Sequence, residues 1–499
     1  MSGWEHLLQG FQLMLTPTNL VVCLAGVLVG TVVGVLPGLG PLAAMSIILP
    51  VSIRFGSLAG FILLAGVWYG AQYGGSTTSI LINIPGEASS VVTCLDGYQM
   101  ARKGRAGAAL AISAIGSFVA GTIGIIVLQL FGPPLASAAL SFGPPEFLAV
   151  MLFACITLAT LSGGSPLKGA MMLALGAILS AVGIDRIAGA PRFTLGVPIL
   201  MYGIDFIPVA IGLFGVAEVI RITVDPYVPP PLPSLRLREL YPNREEARRA
   251  ALPILRGSLV GALFGMLPGS SAALASFTAY SVERSISPRK KQFGTGVIEG
   301  VAAPESANNS AVILALVPLL CLGIPFSPVS AVLLAGLQMH NLTPGPMLLQ
   351  TNPEIFWGLI AAMYIGNCLL LVLNLPLVGL FARISTLRPY MLMPAVVVLC
   401  LIGSYAIRNA MFDVGVMVAA GILGFFLNRL RIDVLPLILG LVLGSILEDH
   451  LRVTIQWFNG QVALIWTRPI ALAILALIPI YLLVTRLAQK RASRELAGS

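Results

Sequence analysis

The chain has 499 residues, of which 57% are hydrophobic and only 10% are charged, and its mean hydropathy is +0.94. Soluble proteins carry about 25% charged residues, so this composition excludes a soluble protein and predicts an all-α polytopic membrane protein. Apolar runs long enough to cross a lipid bilayer, about 20 residues each, indicate roughly 10–13 membrane segments, some of them re-entrant or broken. The formal net charge of +9 arises from basic clusters between apolar runs, which is typical of cytoplasmic loops and excludes nucleic acid as a partner.

The first element of functional interest is a break in the first apolar segment, where residues 30–38 read GTVVGVLPG. Proline lacks an N–H donor and glycine tolerates non-helical backbone, so this motif ends a helix. Inside a bilayer such a break persists only where the freed backbone groups face protein or a water-filled cavity. Exposed N–H groups at a half-helix N-terminus attract anions. We therefore predict that Pro37, Gly38 and Gly40 contact an anionic substrate.

The second element is the polar stretch YGAQYGGSTTSILINIPGEASS at residues 69–90. Hydroxyl and amide oxygens beside freed carbonyls suit Na⁺, a hard cation that prefers oxygen ligands, and hydroxyls can also donate to a carboxylate. For any single Ser or Thr, close helix packing is the alternative explanation. The prediction divides this stretch into substrate contacts at Gly75, Ser76 and Thr77 and cation ligands at Thr78, Ser79 and Asn83.

Further apolar runs extend to residue 220, and the segment 223–252 then interrupts them. That segment is proline-rich and then charged, which is typical of an extended linker that leads into a short surface helix. Its basic residues place it in the cytoplasm. Residues 1–222 are therefore predicted to form the first half of the protein, and residues 253–350 the core of a second half.

The second half repeats the glycine motif as GALFGMLPG at residues 261–269, and its central glycine lies 231 residues after the first (265 − 34). We pair Gly70 with Gly300, and Ser79 with Ser310. Ile84-Pro85 then pairs with Ile324-Pro325 after a short insertion. About five spans separate the two breaks, and an odd number predicts an inverted-topology repeat.

The polar stretch of the second half is EGVAAPESANNS at residues 299–310. A carboxylate in a membrane segment is costly and normally has a partner or a function, which favours Glu305 as a cation ligand. Two polar clusters beside matched helix breaks favour a binding site over packing. The substrate contacts predicted in this half are Pro268, Gly269, Ser270, Ser271 and Asn308. The predicted cation ligands are Glu305, Ser306, Asn309 and Ser310, with Na⁺ as the suspected ion.

The other acidic residues are predicted to be solvated rather than functional. Glu87 and Glu299 flank the polar stretches and are placed at the water interface. Four aspartates fall at the ends of apolar spans, where a solvated interface position is the simplest interpretation. These aspartates are Asp185, Asp205, Asp413 and Asp433.

The remainder of the chain is predicted to be scaffold, with apolar spans in residues 351–485 and a basic cytoplasmic tail at residues 486–499. An enzyme is not indicated. None of the three histidines lies mid-span, and the sequence contains no H-E-x-x-H, G-x-G-D or Walker A motif. No cofactor and no transition metal is expected.

Together, the segments GxxxGxLPGLGP, YGGSTTSILINIPGE and EGVAAPESANNS closely resemble the large membrane subunit of the tripartite tricarboxylate transporters. The family signature falls on Gly34, Pro37, Gly38 and Gly40, on Gly74 through Thr78 with Pro85, and on Pro304 through Asn309. The resemblance implies a bacterial inner-membrane permease that works with a small membrane subunit and a periplasmic substrate-binding protein. It also implies uptake of citrate-like carboxylates driven by Na⁺ or H⁺, and related systems suggest an elevator-like movement.

The sequence therefore predicts a secondary transporter that imports carboxylates by cation-coupled alternating access. An uncoupled carboxylate channel or facilitator is the alternative, although a channel should have a continuous polar lining rather than polar residues concentrated at two breaks. A purely structural scaffold would not need matched broken helices.

Overall fold

The structure is a computed structural model that describes residues 3–36, 40–161, 165–185, 187–225, 241–267, 272–384, 391 and 393–497. Within these residues the regular structure is helical except for one short hairpin, in which Gly183–Ile184 pairs antiparallel with Pro191–Arg192. Six helices are long and apolar enough to cross a membrane, and six further apolar helices are shorter. These features confirm the all-α polytopic membrane fold.

The helices, in chain order, are α1 (Gly3–Met14), α2 (Pro17–Val35), α3 (Pro41–Ser52), α4 (Ser57–Ile82), α5 (Thr93–Arg102), α6 (Ala106–Ala139), α7 (Pro144–Leu161), α8 (Pro166–Ser180), α9 (Phe206–Ala210), α10 (Ala217–Val224), α11 (Arg244–Gly265), α12 (Ala272–Ile286), α13 (Glu299–Leu314), α14 (Leu316–Leu322), α15 (Pro328–Met339), α16 (Pro346–Thr351), α17 (Pro353–Asn374), α18 (Val378–Ile384), α19 (Met393–Ala406), α20 (Met411–Arg429), α21 (Leu435–Trp457) and α22 (Pro469–Ala497). A π-helical turn, Ile211–Val216, joins α9 to α10.

The chain forms two compact units. The first comprises Met1–Ser137 with Asp205–Leu430, and the second comprises Ala138–Ile204 with Arg431–Ser499. Both glycine motifs and both polar stretches belong to the first unit. The predicted linker does not lead into a separate surface helix, because α11 runs unbroken from Arg244 to Gly265.

Both glycine motifs coincide with the end of a helix. α2 ends at Val35 and the next helix begins at Pro41, while α11 ends at Gly265 and α12 begins at Ala272. The predicted substrate contacts at the motif tips, namely Pro37, Gly38, Pro268, Gly269, Ser270 and Ser271, lie outside the described residues.

A row of glycines lets each broken helix approach a neighbouring helix closely. On α2, a Cβ atom built on Gly26 would lie 2.7 Å from a carbonyl oxygen of α4, and one built on Gly30 or Gly34 would lie closer still. Four-residue spacing keeps these glycines on one helix face, where backbones can pack without side chains between them. The facing carbonyls are those of Leu63, Val67 and Ala71.

The second half repeats this packing with α11 against α13. Here the glycines are Gly257, Gly261 and Gly265, and a Cβ atom on Gly265 would lie 2.5 Å from the carbonyl oxygen of Ala311. The other two face the carbonyls of Ala303 and Ala307. The duplication of the sequence motif is therefore also a duplication of helix packing; whether the two copies are inverted in the membrane stays a prediction.

The repeated packing corrects the pairing of the two polar stretches. The glycines are offset by 231 residues (265 − 34), whereas the carbonyls that they face are offset by 240 (311 − 71). A nine-residue insertion (240 − 231) therefore precedes α13, in the segment that follows α12. Gly300 is consequently equivalent to Gly60 rather than to Gly70, and the two polar stretches do not occupy equivalent positions.

The ends of the equivalent helices support the same register. Asn83 ends α4 in the left-handed conformation, with φ of 59°, and Gly323 ends α14 with φ of 75°, 240 residues later (323 − 83). In both places the next amide reaches back six residues: Ile84 N donates to Thr78 O at 3.5 Å, and Ile324 N donates to Pro318 O at 3.2 Å. This bond closes a helix C-terminus whose last carbonyls would otherwise be unpaired.

The glycine row yields a stability prediction. We expect Gly34→Ala or Gly261→Ala to lower the apparent melting temperature of the purified protein, because the new methyl group overlaps backbone that cannot move away. Gly415→Ala is the matched control, since a Cβ atom there meets nothing within 4 Å. Equal melting temperatures for all three variants would contradict close backbone packing at these sites.

The second unit contains α7, α8, α21, α22 and the short hairpin. Gly440 of α21 packs against the backbone of α8, and the hairpin is tied to α21 by charged groups. Arg192 donates to Glu448 at 2.7 Å, and Arg452 pairs with Asp185 at 3.0 Å. The backbone N–H groups of Ala188 and Ile187 also donate to Asp185 and are the main reason that the pKa of its carboxyl falls to about 2.

Two of the four aspartates that were predicted to be solvated are instead buried. Asp185 is only 5% exposed, and Asp413 is fully buried, where it forms a bidentate pair with Arg408. Asp205 and Asp433 have local structural functions, because each accepts a hydrogen bond from the backbone amide two residues later. All four positions are therefore explained by ion pairing or helix capping.

Candidate functional site: a buried acidic cluster

The candidate site is centred on α13, every residue of which is buried. Pro304 within this helix lacks the N–H that would bond the carbonyl of Gly300, so the helix carries a built-in backbone defect. Glu305 follows directly and is 1% exposed. The polar stretch of the second half is thus a buried helix rather than a surface segment.

Three hydroxyl groups from three other helices converge on the Glu305 carboxylate. Ser76 of α4 donates to Oε2, and Thr93 of α5 donates to Oε1. Ser113 of α6 donates to Oε2 at 3.0 Å. Helices that are distant in the chain are therefore joined at a single carboxylate.

Within the described residues, no lysine or arginine is paired with Glu305 or with Glu87. An unpaired carboxylate is expensive to bury, even with hydroxyl donors, because those donors are neutral. Elsewhere in the first unit, buried acids such as Glu283 and Asp413 each have an arginine partner. Glu305 is therefore suited to binding a positive charge that the described protein residues do not supply.

Glu87 provides a second acid in this region and is less exposed than its predicted interface position implies. Asn308 Nδ2 donates to Glu87 Oε1 at 3.1 Å, and Ser89 donates to the same oxygen. Glu87 lies after α4, outside the helices that could span a bilayer, and burial raises the pKa of its carboxyl to about 7. The nearby charge of Glu305 contributes to this shift.

The predicted ligands on α13 are divided among different neighbours. Asn309 Nδ2 donates to Ser117 Oγ at 2.7 Å, next to the Glu305 hydroxyls on α6. Ser306 packs at Gly116 of α6, where a Cβ atom on that glycine would lie 2.9 Å from Ser306 Oγ. Three buried oxygens on this helix have no hydrogen-bond partner within the described residues, namely Ser306 Oγ, Asn308 Oδ1 and Ser310 Oγ.

The predicted ligands on α4 are only partly brought to the cluster. Ser76 contacts Glu305 directly, whereas Thr78 and Ser79 donate to the carbonyl of Gly75 in their own helix. Thr77 is buried. Asn83 is exposed at the helix end, and no described hydrogen bond joins it to the cluster.

The two predicted glycine contacts have different surroundings. A Cβ atom on Gly75 would lie 3.0 Å from the Glu87 side chain, so this glycine lets the acid approach α4. Gly40 precedes α3 in an extended conformation, and a Cβ atom there would meet nothing within 4 Å. Gly40 therefore borders open space at the first motif.

Thr93, Ser113 and Ser117 are site residues that the sequence analysis did not identify. Ser113 and Ser117 are spaced by four residues in the apolar α6, which places both on one helix face. That spacing was a usable signal, whereas nothing in the sequence around Thr93 distinguishes it. Among the residues searched, no group of three or more His, Cys, Asp or Glu side chains is arranged to hold a metal ion.

Comparison with known proteins gives consistent matches over nearly the whole chain. Residues 20–439 match the family described as tripartite tricarboxylate transporter TctA. The chain is 46% identical over 491 residues, 98% of each protein, to an uncharacterized 52.8 kDa protein in the TAR-I ttuC′ 3′ region of Agrobacterium vitis. It is also 45% identical over 235 residues to an uncharacterized protein in the TAR-II ttuC′ 3′ region of that organism, covering 47% of this chain and 97% of the relative. No solved structure matches it significantly.

Proposed function

Because the chain belongs to the tripartite tricarboxylate transporter TctA family, we propose that it is the large permease subunit of a binding-protein-dependent secondary transporter. In this proposal the protein lies in the bacterial inner membrane with its C-terminus in the cytoplasm. It works with a small membrane subunit and a periplasmic substrate-binding protein. The substrate is a citrate-like tricarboxylate or a related carboxylate, imported by cation-coupled alternating access.

The observation that carries the coupling proposal is the pair of acids without a basic partner. Glu305 and Glu87 are negatively charged groups close to polar segments that we assign to an anionic substrate. Like charges in a region of low dielectric repel strongly, so a multivalent anion cannot approach ionised acids unless positive charge enters with it. Symport with a cation satisfies this requirement.

We propose that the coupling ion is Na⁺ and that Glu305 is its anionic ligand. Ser76, Thr93 and Ser113 supply hydroxyl oxygens around the carboxylate, and Asn308 Oδ1 is a buried oxygen without a partner in the described part of the chain. Hard cations prefer such oxygen ligands. Proton transfer to the same carboxylate is the alternative coupling chemistry.

The substrate carboxylates are proposed to bind at the two glycine motifs, where helix N-termini begin at Pro41 and Ala272. A helix N-terminus offers unpaired N–H groups and the positive end of a dipole, which suits a carboxylate. Asn308 and the Gly75–Thr77 segment border the acids and complete this proposed substrate region.

Alternating access is proposed to arise from movement of the repeat-bearing helices. We assign α17 to this moving part rather than to the scaffold in residues 351–485, because Tyr73 of α4 donates to Asn367 of α17 at 2.8 Å. Asn367 in turn donates to the carbonyl of Phe118 at 2.9 Å. Cation and substrate must together stabilise the state that can change orientation.

Ser113→Ala tests this proposal. Loss of its hydrogen bond favours the protonated form of Glu305, which cannot bind Na⁺, so we expect the Na⁺ concentration for half-maximal citrate uptake to rise about tenfold. Uptake is measured in proteoliposomes that contain the permease, the small subunit and the binding protein.

Ser258→Ala is the matched control, because this buried hydroxyl bonds only the Ile254 carbonyl of its own helix among the described contacts. We expect it to leave the Na⁺ dependence unchanged. Equal Na⁺ dependence of the Ser113→Ala and wild-type proteins would contradict the site. Citrate equilibration without any gradient dependence would favour the uncoupled facilitator.

A further inference from the structure

A second polar cavity lies at the opposite end of α11 from the glycine motif, where α11 and α12 meet the start of α13. Its volume is about 390 Å³. Its charged lining consists of Arg248, Arg249, Arg256, Arg289, Glu283 and Glu299. Four arginines and two glutamates give the lining a formal charge of +2 (4 − 2).

The two acids in this cavity are already neutralised by specific arginines. Arg256 donates two hydrogen bonds to Glu283, at 2.9 and 2.8 Å, and Arg249 does the same to Glu299. Arg289 also donates to Glu299, at 3.2 Å. The surplus positive charge is therefore carried by Arg248 and by the shared guanidinium of Arg289.

An apolar stripe continues from this basic cavity along α11. Leu252 is 60% exposed and lines the cavity, and Leu259 is 67% exposed two helical turns further on. Leu255 and Leu263 lie on the same side of the helix and are also exposed. On α12, Ile286 lines the cavity and is exposed as well. In a membrane helix, such a face is in contact with acyl chains.

We propose that this cavity binds the phosphate headgroup of an anionic phospholipid, with the acyl chains along the α11 leucines. Arginine forks match phosphate oxygens, and basic pockets between membrane helices are suited to anionic headgroups. A soluble anion would use the arginines but would gain nothing from the adjoining apolar stripe. The bound lipid would join α11 and α12 to the start of α13, six residues before Glu305.

The test is a titration of the purified protein, in phosphatidylcholine nanodiscs, with dioleoyl phosphatidylglycerol, followed by native mass spectrometry. The cavity variant combines Arg248→Gln with Arg289→Gln, and the control combines Arg284→Gln with Lys290→Gln. The control residues are exposed, lie outside the cavity lining and remove the same charge. We expect the apparent affinity for phosphatidylglycerol to fall about tenfold in the cavity variant and less than twofold in the control.

A second arm replaces the lipid by inorganic phosphate or glycerol 3-phosphate, added at increasing concentration as competitors. We expect neither to displace phosphatidylglycerol at equimolar concentration. Displacement by the headgroup alone would overturn the lipid assignment in favour of a soluble anion. Equal losses of affinity in the two double variants would also overturn it, because the attraction would then be a diffuse effect of surface charge.

Discussion

Replacing Glu305 with glutamine is expected to abolish cation-driven uptake and to leave the protein folded. The amide keeps the size of the side chain and an oxygen that can accept from Ser76, Thr93 or Ser113. It removes the negative charge, however, and no basic residue in the described structure depends on that charge. A lost charged ligand of about 3 kcal/mol corresponds to about a 100-fold loss of Na⁺ affinity.

The measurement is citrate accumulation in proteoliposomes under an imposed inward Na⁺ gradient, with Glu354→Gln as the matched control. Glu354 is exposed at the start of α17 and belongs to no buried cluster in the described chain. We expect gradient-driven accumulation in the control at the wild-type level. A Glu305→Gln protein that still concentrated citrate with the wild-type Na⁺ dependence would show that the charge is dispensable.

Replacing Asp96 with alanine is expected to cause the largest loss of stability. Asp96 is fully buried on α5 and accepts hydrogen bonds from the backbone amides of Gly294, Gly296 and Val297, at 2.7–3.0 Å. Tyr280 Oη donates to it at 2.8 Å. This one carboxylate therefore fixes the insertion that precedes α13. Leaving three amides without an acceptor costs about 1–3 kcal/mol each.

The expected result is a free energy of unfolding at least about 3 kcal/mol lower for Asp96→Ala, measured by chemical denaturation in detergent. Tyr280→Phe is the graded comparison, because it removes only one of the donors and leaves the three amides bonded to the carboxylate. Gly300→Ala should resemble Asp96→Ala, since a methyl group there overlaps the Asp96 carboxylate. Wild-type stability of both Asp96→Ala and Gly300→Ala would refute this function of Asp96.

Much of the fold could be predicted from local chemistry. The helix ends at Val35 and Gly265 follow from Leu-Pro-Gly, and the glycine spacing of four indicates close helix packing. The alignment of the two halves was wrong by nine residues after the second motif. The extra residues lie in a polar connection without a periodic apolar pattern, so only the contacts of α13 with α11 locate them.

The candidate site was only partly predictable for a related reason. Glu305 is conspicuous because it is an acid in an apolar context, and it is central to the observed cluster. The hydroxyls of Thr93 and Ser113 resemble ordinary packing residues until the fold brings them to that acid. The burial of Asp413 likewise depends on Arg408, five residues earlier, which neutralises it.

The most direct test of the proposed coupling site is equilibrium binding of ²²Na⁺ to the purified permease. Wild type and Glu305→Gln are compared at pH values above and below neutrality, with Glu354→Gln as the control. We expect saturable Na⁺ binding by wild type and control and its loss in Glu305→Gln. Equal saturable binding by all three proteins would place the cation elsewhere, and no binding by wild type at any pH would contradict Na⁺ coupling at Glu305.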